Sequence, residues 1–393
     1  MNDLILLLYF ALYIIMNPKL NNISDEGGIL RFTLHGVNVS LANAIRRTIL
    51  SDIPIVVIET DTHETNQCTI QTNTGRLHNE ILKQRLSCIP IHTTKLRDDD
   101  EGKALPGNYS LELDMKNDGE NMMFITSENF HLRDKSTNKL VTKDEMNTLF
   151  PDLFPMNSIT RSYIDFARLR PKMGEGIPGE HLKLSAEFTV STAKTSSMFN
   201  VVSKCAYGNS PDQSKAADIW EGHEKKLRAE GESADDIKFQ KENFRLLDAQ
   251  RQFIPDSFDF VIQTVGIYDN HELVRKSCVV LQNKFIDLIQ AADSGVVPIF
   301  TSETTMDNCY DISLEGEDYT MGKVIEYILY EKHYLSDKKL SFCGFKKFHP
   351  HNTDATIRIA FQNKSDKTEV AKYLREACVE AQQVFKDIYA MFK

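Results

Sequence analysis

The stretch Leu34-His35-Gly36-Val37-Asn38-Val39-Ser40-Leu41-Ala42-Asn43-Ala44-Ile45 decides the reading, because its pattern returns 280 residues later without a gap as Leu314-Glu315-Gly316-Glu317-Asp318-Tyr319-Thr320-Met321-Gly322-Lys323-Val324-Ile325. Each copy opens on an alternating apolar run, 29–34 or 310–314, that reads as a strand with one buried face. Gly36 or Gly316 then turns the chain, as a backbone position rather than a ligand contact. Ser40 or Thr320 offers a side-chain oxygen to the unpaired N–H groups of a helix start. Beyond it, Leu41, Ile45 and Ile49 in one copy, and Met321, Ile325 and Ile328 in the other, fall on one helical face. A helix with a single apolar stripe needs a covering layer, so each copy is expected to pack against something.

Working outward, the first copy is followed by strand signals at 55–59 and 68–72 and by a helix over 77–86 that stops before Pro90. After the second come strands over 340–346 and 355–361, separated by His349-Pro350. The last helix places Val370, Leu374, Ala377, Ala381, Val384, Ile388 and Met391 at alternating steps of four and three, a seam for another helix. Between the copies lies a less regular tract with strand-like 109–115 and 182–190, an acidic run at 98–101, and a charged helical stretch over 214–250. Alternation resumes over 253–266, and a further helix is expected over 272–292. The predicted organisation is a leader 1–27, a discontinuous first domain 28–92 plus 253–293, an insert 93–252, a linker 294–309 and a second domain 310–393. The 16-residue linker, at ~3.4 Å per residue, would reach ~54 Å, enough to let the two domains pair within one chain.

Composition narrows the functions. The chain has 393 residues, 46 basic against 56 acidic, and a net charge of −10, whereas a chain that grips nucleic acid by itself usually presents a basic face. Primary nucleic-acid contact is therefore not expected. The seven cysteines include no closely spaced pair, which reads as reduced thiols rather than as structural zinc or a disulfide framework. Residues 4–16 form an unbroken apolar run, too short for a ~20-residue membrane helix and without the basic start of a signal peptide. A start of translation at Met16 is the preferred reading of this leader, and an interfacial anchor is the alternative.

Three further stretches carry a resemblance: Asn43-Ala44-Ile45-Arg46-Arg47-Thr48, then Pro54-Ile55-Val56-Val57-Ile58-Glu59, then the segment from Leu77 through Glu80, Arg85 and Cys88 to Ile91. Together they resemble the α subunit of bacterial RNA polymerase and its archaeal and eukaryotic D-type counterpart. The second half, through Gly316 to Gly322, Cys343 to Pro350 and the closing helix, resembles the small L-type partner of D. Residues 167–171 and 176–185 also resemble D-type subunits, and the likeness covers most of 28–392, most weakly over 212–250. Two departures stand out. The cysteine-rich metal loop of many D-type subunits is reduced here to Cys205, and two normally separate partners are joined, as in large DNA viruses of eukaryotes.

The resemblance implies an α+β fold in which two α-subunit-like dimerisation units form an intramolecular pseudo-dimer, with a mainly β insert in the first. It implies a non-catalytic assembly scaffold of DNA-directed RNA polymerase whose partners are the large catalytic subunits and small assembly subunits. No cofactor is expected in this chain, Mg and Zn being expected on other subunits, and no membrane contact. The location would be intracellular: the nucleus or, for a viral chain, the cytoplasmic factory and virion. Asn43, Arg46, Arg47, Glu59, Glu80 and Arg85 would contact partners, and Ile45, Ile49, Met321, Ile325, Leu374, Ala381 and Ile388 would form the internal seam.

The residues by themselves leave alternatives open. Adjacent arginines lie ~100° apart on a helix, so one of Arg46 and Arg47 flanks the apolar seam while the other points to a partner's carboxylate or simply to solvent. Glu59, Asp61 and His63 alternate and would share one strand face, a possible metal triad for a metal-dependent enzyme. A membrane-associated adaptor held by residues 4–16 is the other rival. No nucleophile elbow, phosphate-binding loop or His-Glu-x-x-His element occurs.

Overall fold

The computed structural model describes residues 16–93, 105–174, 176–302 and 306–392; residues 1–15 of the leader and the acidic run 98–101 lie outside them. In chain order, β1 (Lys19–Glu26) and β2 (Ile29–His35) lead to α1 (Val39–Ser51), β3 (Ile55–Val57), β4 (Cys68–Asn73) and α2 (Asn79–Ser87). Then come β5 (Tyr109–Lys116), β6 (Met123–Thr126), β7 (His131–Asp134), β8 (Lys139–Leu140), α3 (Lys143–Leu149), β9 (Asp165–Leu169), β10 (His181–Glu187), β11 (Thr189–Ser191) and β12 (Val202–Pro211). The charged tract forms α4 (Gln213–Ala229) and α5 (Ala234–Leu246), followed by β13 (Phe253–Thr264) and the long α6 (Asn270–Asp293). The chain closes with β14 (Ile299–Thr301), β15 (Cys309–Leu314), α7 (Tyr319–Leu329), β16 (Leu340–Lys346), β17 (Ala355–Phe361) and α8 (Lys367–Met391).

Two compact units result. Among the described residues, one comprises those up to 49, 204–263 and those from 270 on, the other those within 50–203 and 264–269. The first holds two four-stranded sheets ordered β1-β2-β13-β12 and β14-β15-β17-β16. Element for element these are the same sheet: an edge strand, the strand that enters the repeated turn, the strand that enters a long closing helix, and the strand before it. Leu34 pairs with Phe258 in one sheet where Leu314 pairs with Ala355 in the other, antiparallel in both. The repeat seen in sequence is thus one part of a repeated domain, and the α+β class is realised twice.

The turn between strand and helix explains the local sequence. Gly36 and Gly316 have φ of +78° and +70°, a left-handed conformation that a side chain disfavours. The helix caps sit two residues before the expected Ser40 and Thr320. Asn38 Oδ1 accepts from the Ser40 N–H at 2.9 Å, and Asp318 Oδ1 from the Thr320 N–H at 2.8 Å, since a short amide or carboxylate reaches the backbone two residues on. From there Leu41, Ile45 and Ile49, and Met321, Ile325 and Ile328, are all buried.

The second unit is built on a five-stranded sheet, β4-β10-β5-β7-β8, with two short ribbons, β3 with β11 and β6 with β9. Its core includes Leu111, Leu113, Phe130, Phe154 and Phe166, with the Phe130 ring edge-on to its two aromatic neighbours at 5.5 and 5.4 Å. Gly179 is required by packing: a Cβ there would stand 1.7 Å from the Asn117 carbonyl oxygen.

Several expectations are corrected. The expected strand 55–59 stops at Val57, and the expected strand 182–190 breaks at Phe188 between two sheets. The compact units divide at 50 and 204 instead of 93 and 253, because β3 pairs with β11 and because Ile58, Cys68, Leu82 and Leu86 join the core of the second unit. The linker 294–309 is not an extended tether. α6 ends in a left-handed Gly295, whose N–H bonds the Ala292 carbonyl while the Val296 N–H bonds that of Ala291, the signature of a tight helix stop. β14 then adds to the edge of β15.

Gly36→Ala tests the turn. Its Cβ would meet the Asn17 carbonyl oxygen at 2.2 Å on top of the positive φ, so urea unfolding should show a loss of about 1–3 kcal/mol.

Candidate assembly interface

In the first unit, α6 and α8 pack on each other and join its two halves. Arg275 meets Tyr389, Phe285 meets Phe385 and Asp293 meets Arg375, so the two helices run antiparallel. Their buried faces repeat at an offset of 100: Leu273, Val274, Ser277, Cys278, Leu281 and Phe285 answer to Tyr373, Leu374, Ala377, Cys378, Ala381 and Phe385. The Phe285 and Phe385 rings stack 5.9 Å apart at 20°, where a residue and its counterpart meet across a pseudo-two-fold axis. Burial pushes the Cys278 thiol up to about 12 and also raises that of Cys378, so both act as small neutral fillers. Phe392, past the end of α8, sets its ring edge against Phe32 at 5.0 Å and against His271 at 5.9 Å, carrying the contact onto the first sheet. At ~1.5–3 kcal/mol for each large apolar side chain taken from water, these residues dominate the attraction between the halves.

Polar contacts frame that core. The Arg47 Nε donates to Thr320 Oγ1 at 2.8 Å, and its Nη2 to Asp318 Oδ2 at 2.5 Å. Lys284 on α6 pairs with Glu317 at 3.5 Å. Burial by itself would raise the Asp318 carboxyl; the Thr320 N–H and hydroxyl and the Arg47 guanidinium outweigh it and hold the group below the usual aspartate range. One carboxylate thus caps α7 and receives the arginine of α1. Tyr327, at the position of α7 that corresponds to Arg47, is pushed up to about 12 by burial and by the Glu331, Glu380 and Asp256 carboxylates, and it stays neutral.

The predicted residues divide. Ile45, Ile49, Met321, Ile325, Leu374, Ala381 and Ile388 are all buried in the first unit. Arg47, expected to face a partner subunit, turns to the second half of its own chain. Arg46 folds back on its own helix, donating from Nε and Nη2 to Asn43 Oδ1 at 3.0 and 2.9 Å. In the second unit, Arg85 donates to the carbonyls of Phe166 and Asp165 at 2.9 and 2.5 Å, satisfying the backbone of β9. Glu80 is exposed at the start of α2 and, with Thr60, Asp61, His63 and Lys83, lines a depression of about 540 Å³. The metal-triad reading fails because Glu59, Asp61 and His63 lie past the end of β3, in coil and turn rather than on one strand face. Among the described residues, no three His, Cys, Asp or Glu side chains are grouped to hold a metal, and no helix is long and apolar enough to cross a membrane.

Sequence reasoning missed α6 as the partner of the closing helix. The signal was present: Val274-Arg275-Lys276-Ser277-Cys278-Val279-Val280-Leu281-Gln282 and Leu374-Arg375-Glu376-Ala377-Cys378-Val379-Glu380-Ala381-Gln382 share Arg, Cys, Val and Gln in register. The repeat had thus continued into a second window at a different offset, shortened because the insert lengthens only the first half.

Comparison with known proteins agrees with this doubled architecture. Residues 31–285 match the RNA polymerase Rpb3/Rpb11 dimerisation domain, and residues 309–390 match a second description of that domain. The chain belongs to this family. Among relatives, the DNA-directed RNA polymerase subunit Rpo3 of Pyrococcus horikoshii is 23% identical over 272 residues, 66% of this chain and 93% of that protein. The DNA-directed RNA polymerases I and III subunit rpac1 of Dictyostelium discoideum is 37% identical over 75 residues, 19% of this chain and 20% of that one. The human subunit RPAC1 is 30% identical over 76 residues, again 20% of its length. Two dimerisation domains of the Rpb3/Rpb11 family therefore share one polypeptide.

Two outcomes follow for the interface. Leu374→Asp places a charge in the buried seam and should lower stability by several kcal/mol, read as a large fall in the thermal midpoint. Arg47→Ala should lose stability at neutral pH, because Asp318 then lacks its cation. The Asp318 carboxyl is depressed in the folded chain, so its contribution exists above the ordinary aspartate value of 3.8 and fades as pH falls through the folded value. Denaturation curves of wild type and variant should accordingly converge in acid.

Proposed function

We propose that this chain is an assembly subunit of a DNA-directed RNA polymerase, equivalent to a D-type and an L-type subunit fused, and that it serves as the platform on which the two large catalytic subunits gather. The observation that carries the reading is the pairing of two Rpb3/Rpb11-type domains inside one chain, through α6 and α8. In this reading the chain has no active site of its own. Nucleotide addition and its metal ions belong to the large subunits, and small assembly subunits are further partners. Its place of action is inside the cell, in the nucleus or, if the chain is viral, in a cytoplasmic factory and the virion.

Physical chemistry supports a scaffold role. A platform has to be rigid before its partners arrive, because each group ordered on binding subtracts from affinity. Joining the halves raises their local concentration to roughly millimolar, so the platform forms without waiting for a second chain. Since Arg47 and Arg85 are occupied within the chain, we place the partner-binding surface elsewhere: on α2, where Glu80 and Ile81 are exposed, and on the neighbouring turn with Asp61 and His63.

Native affinity purification of the tagged full chain from its producing cells, with mass spectrometry, should recover two large polymerase subunits; their absence would refute the assignment. Glu80→Arg with Ile81→Asp should leave the thermal midpoint within about 1 °C while removing a large subunit from the purified set, since exposed substitutions rarely shift stability by more than ~0.5 kcal/mol. Full retention of both subunits would move the contact surface away from α2.

A further inference from the structure

The two halves are alike in backbone, which raises the question of why the first pairs with the second and not with another copy of itself. The repeat aligns residue 47 with 327, 38 with 318 and 37 with 317, and the closing helices align 284 with 384. At two cross-half ion pairs, the counterparts on the other side of the pseudo-two-fold axis are uncharged. Arg47 and Asp318 correspond to Tyr327 and Asn38. Lys284 and Glu317 correspond to Val384 and Val37, both buried and apolar. In these two pairs both cations come from the first half and both anions from the second.

We propose that Arg47, Lys284, Glu317 and Asp318 are the specificity determinants that make the pairing heterotypic. Were two first halves to pair, Lys284 would face Val37 and Arg47 would face the neutral Asn38. Were two second halves to pair, Glu317 would face Val384 and Asp318 would face Tyr327. Either arrangement keeps an apolar helix seam, with Cys and Phe recurring at the same places on both faces, but buries charge against apolar or neutral groups. The seam thus supplies the attraction, and the charged rim adds a sign-specific choice of partner. Arg375 with Asp293 does not disfavour the pairing of two first halves, because arginine recurs at 275. The inference does not depend on the polymerase assignment, and its test reads only the purified chain.

The test uses three full-length variants. The acidic chain carries Arg47→Asp and Lys284→Glu, so both halves present carboxylates at the rim. The basic chain carries Glu317→Lys and Asp318→Arg, so both halves present cations. The exchanged chain carries all four changes. Light scattering coupled to size exclusion should find the exchanged chain monomeric, with a thermal midpoint well above that expected from adding the losses of the acidic and basic chains. The acidic and basic chains, co-expressed with different tags, should co-purify as a one-to-one swapped dimer, the first half of each seated on the second half of the other. That dimer should exceed same-sign dimers by more than tenfold, which corresponds to about 1.4 kcal/mol. These two readouts stand even if the acidic or basic chain fails to fold alone. Failure of the co-expressed chains to associate, or an exchanged chain no more stable than the sum of its parts, would overturn the proposal.

Discussion

Antiparallel packing of α6 on α8 is the contact on which the rest of the first unit depends. Each helix follows the last strand of one four-stranded sheet and carries buried residues that meet the other helix. Phe285 lies on Phe385 near the axis, and Phe392 reaches Phe32 at one end. A single half would leave Phe285 or Phe385 without the ring it stacks on, so neither half is expected to be stable without the other. Fusion then has a direct physical meaning. The segment from Asp293 to Ile299 is short and begins with a structured helix stop, so the second sheet starts close to where the first closing helix ends.

The division of labour within this interface follows from the chemistry of its parts. Aromatic and aliphatic contacts are strong but non-directional, and the two helix faces share an apolar character with Cys and Phe in register. The ion pairs at the rim are partly buried and individually modest, yet they are sign-specific. Asp318 joins the two levels: by capping α7 it fixes a helix start, and by receiving Arg47 it ties that start to α1 of the other half.

Much of this was legible in the sequence, and the exceptions have physical causes. The strand, turn and helix of the repeat were readable because alternation, a glycine and a 3.6-residue stripe each leave a local mark. β1, with the polar sequence Lys19 to Glu26, leaves no such mark; it exists because β2 offers a free edge. β14 was hidden in the supposed linker for the same reason. The caps were misplaced by two residues because serine and threonine score well at helix starts, whereas Asn38 and Asp318 reach the backbone from the turn itself. Arg47 could not be resolved from sequence: its spacing sets the helix face, but only the tertiary fold decides whether that face meets a partner subunit or the other half of the chain.

The central claim is that two homologous halves of one polypeptide clasp each other through α6 and α8. Its most direct test is amine cross-linking of an equimolar mixture of natural-abundance and heavy-nitrogen chains, followed by mass spectrometry of links between Lys276 on α6 and Lys386 on α8. The account predicts that this link forms and joins peptides of the same isotope. Links of mixed isotope at the statistical frequency, or no link between the two helices, would contradict it.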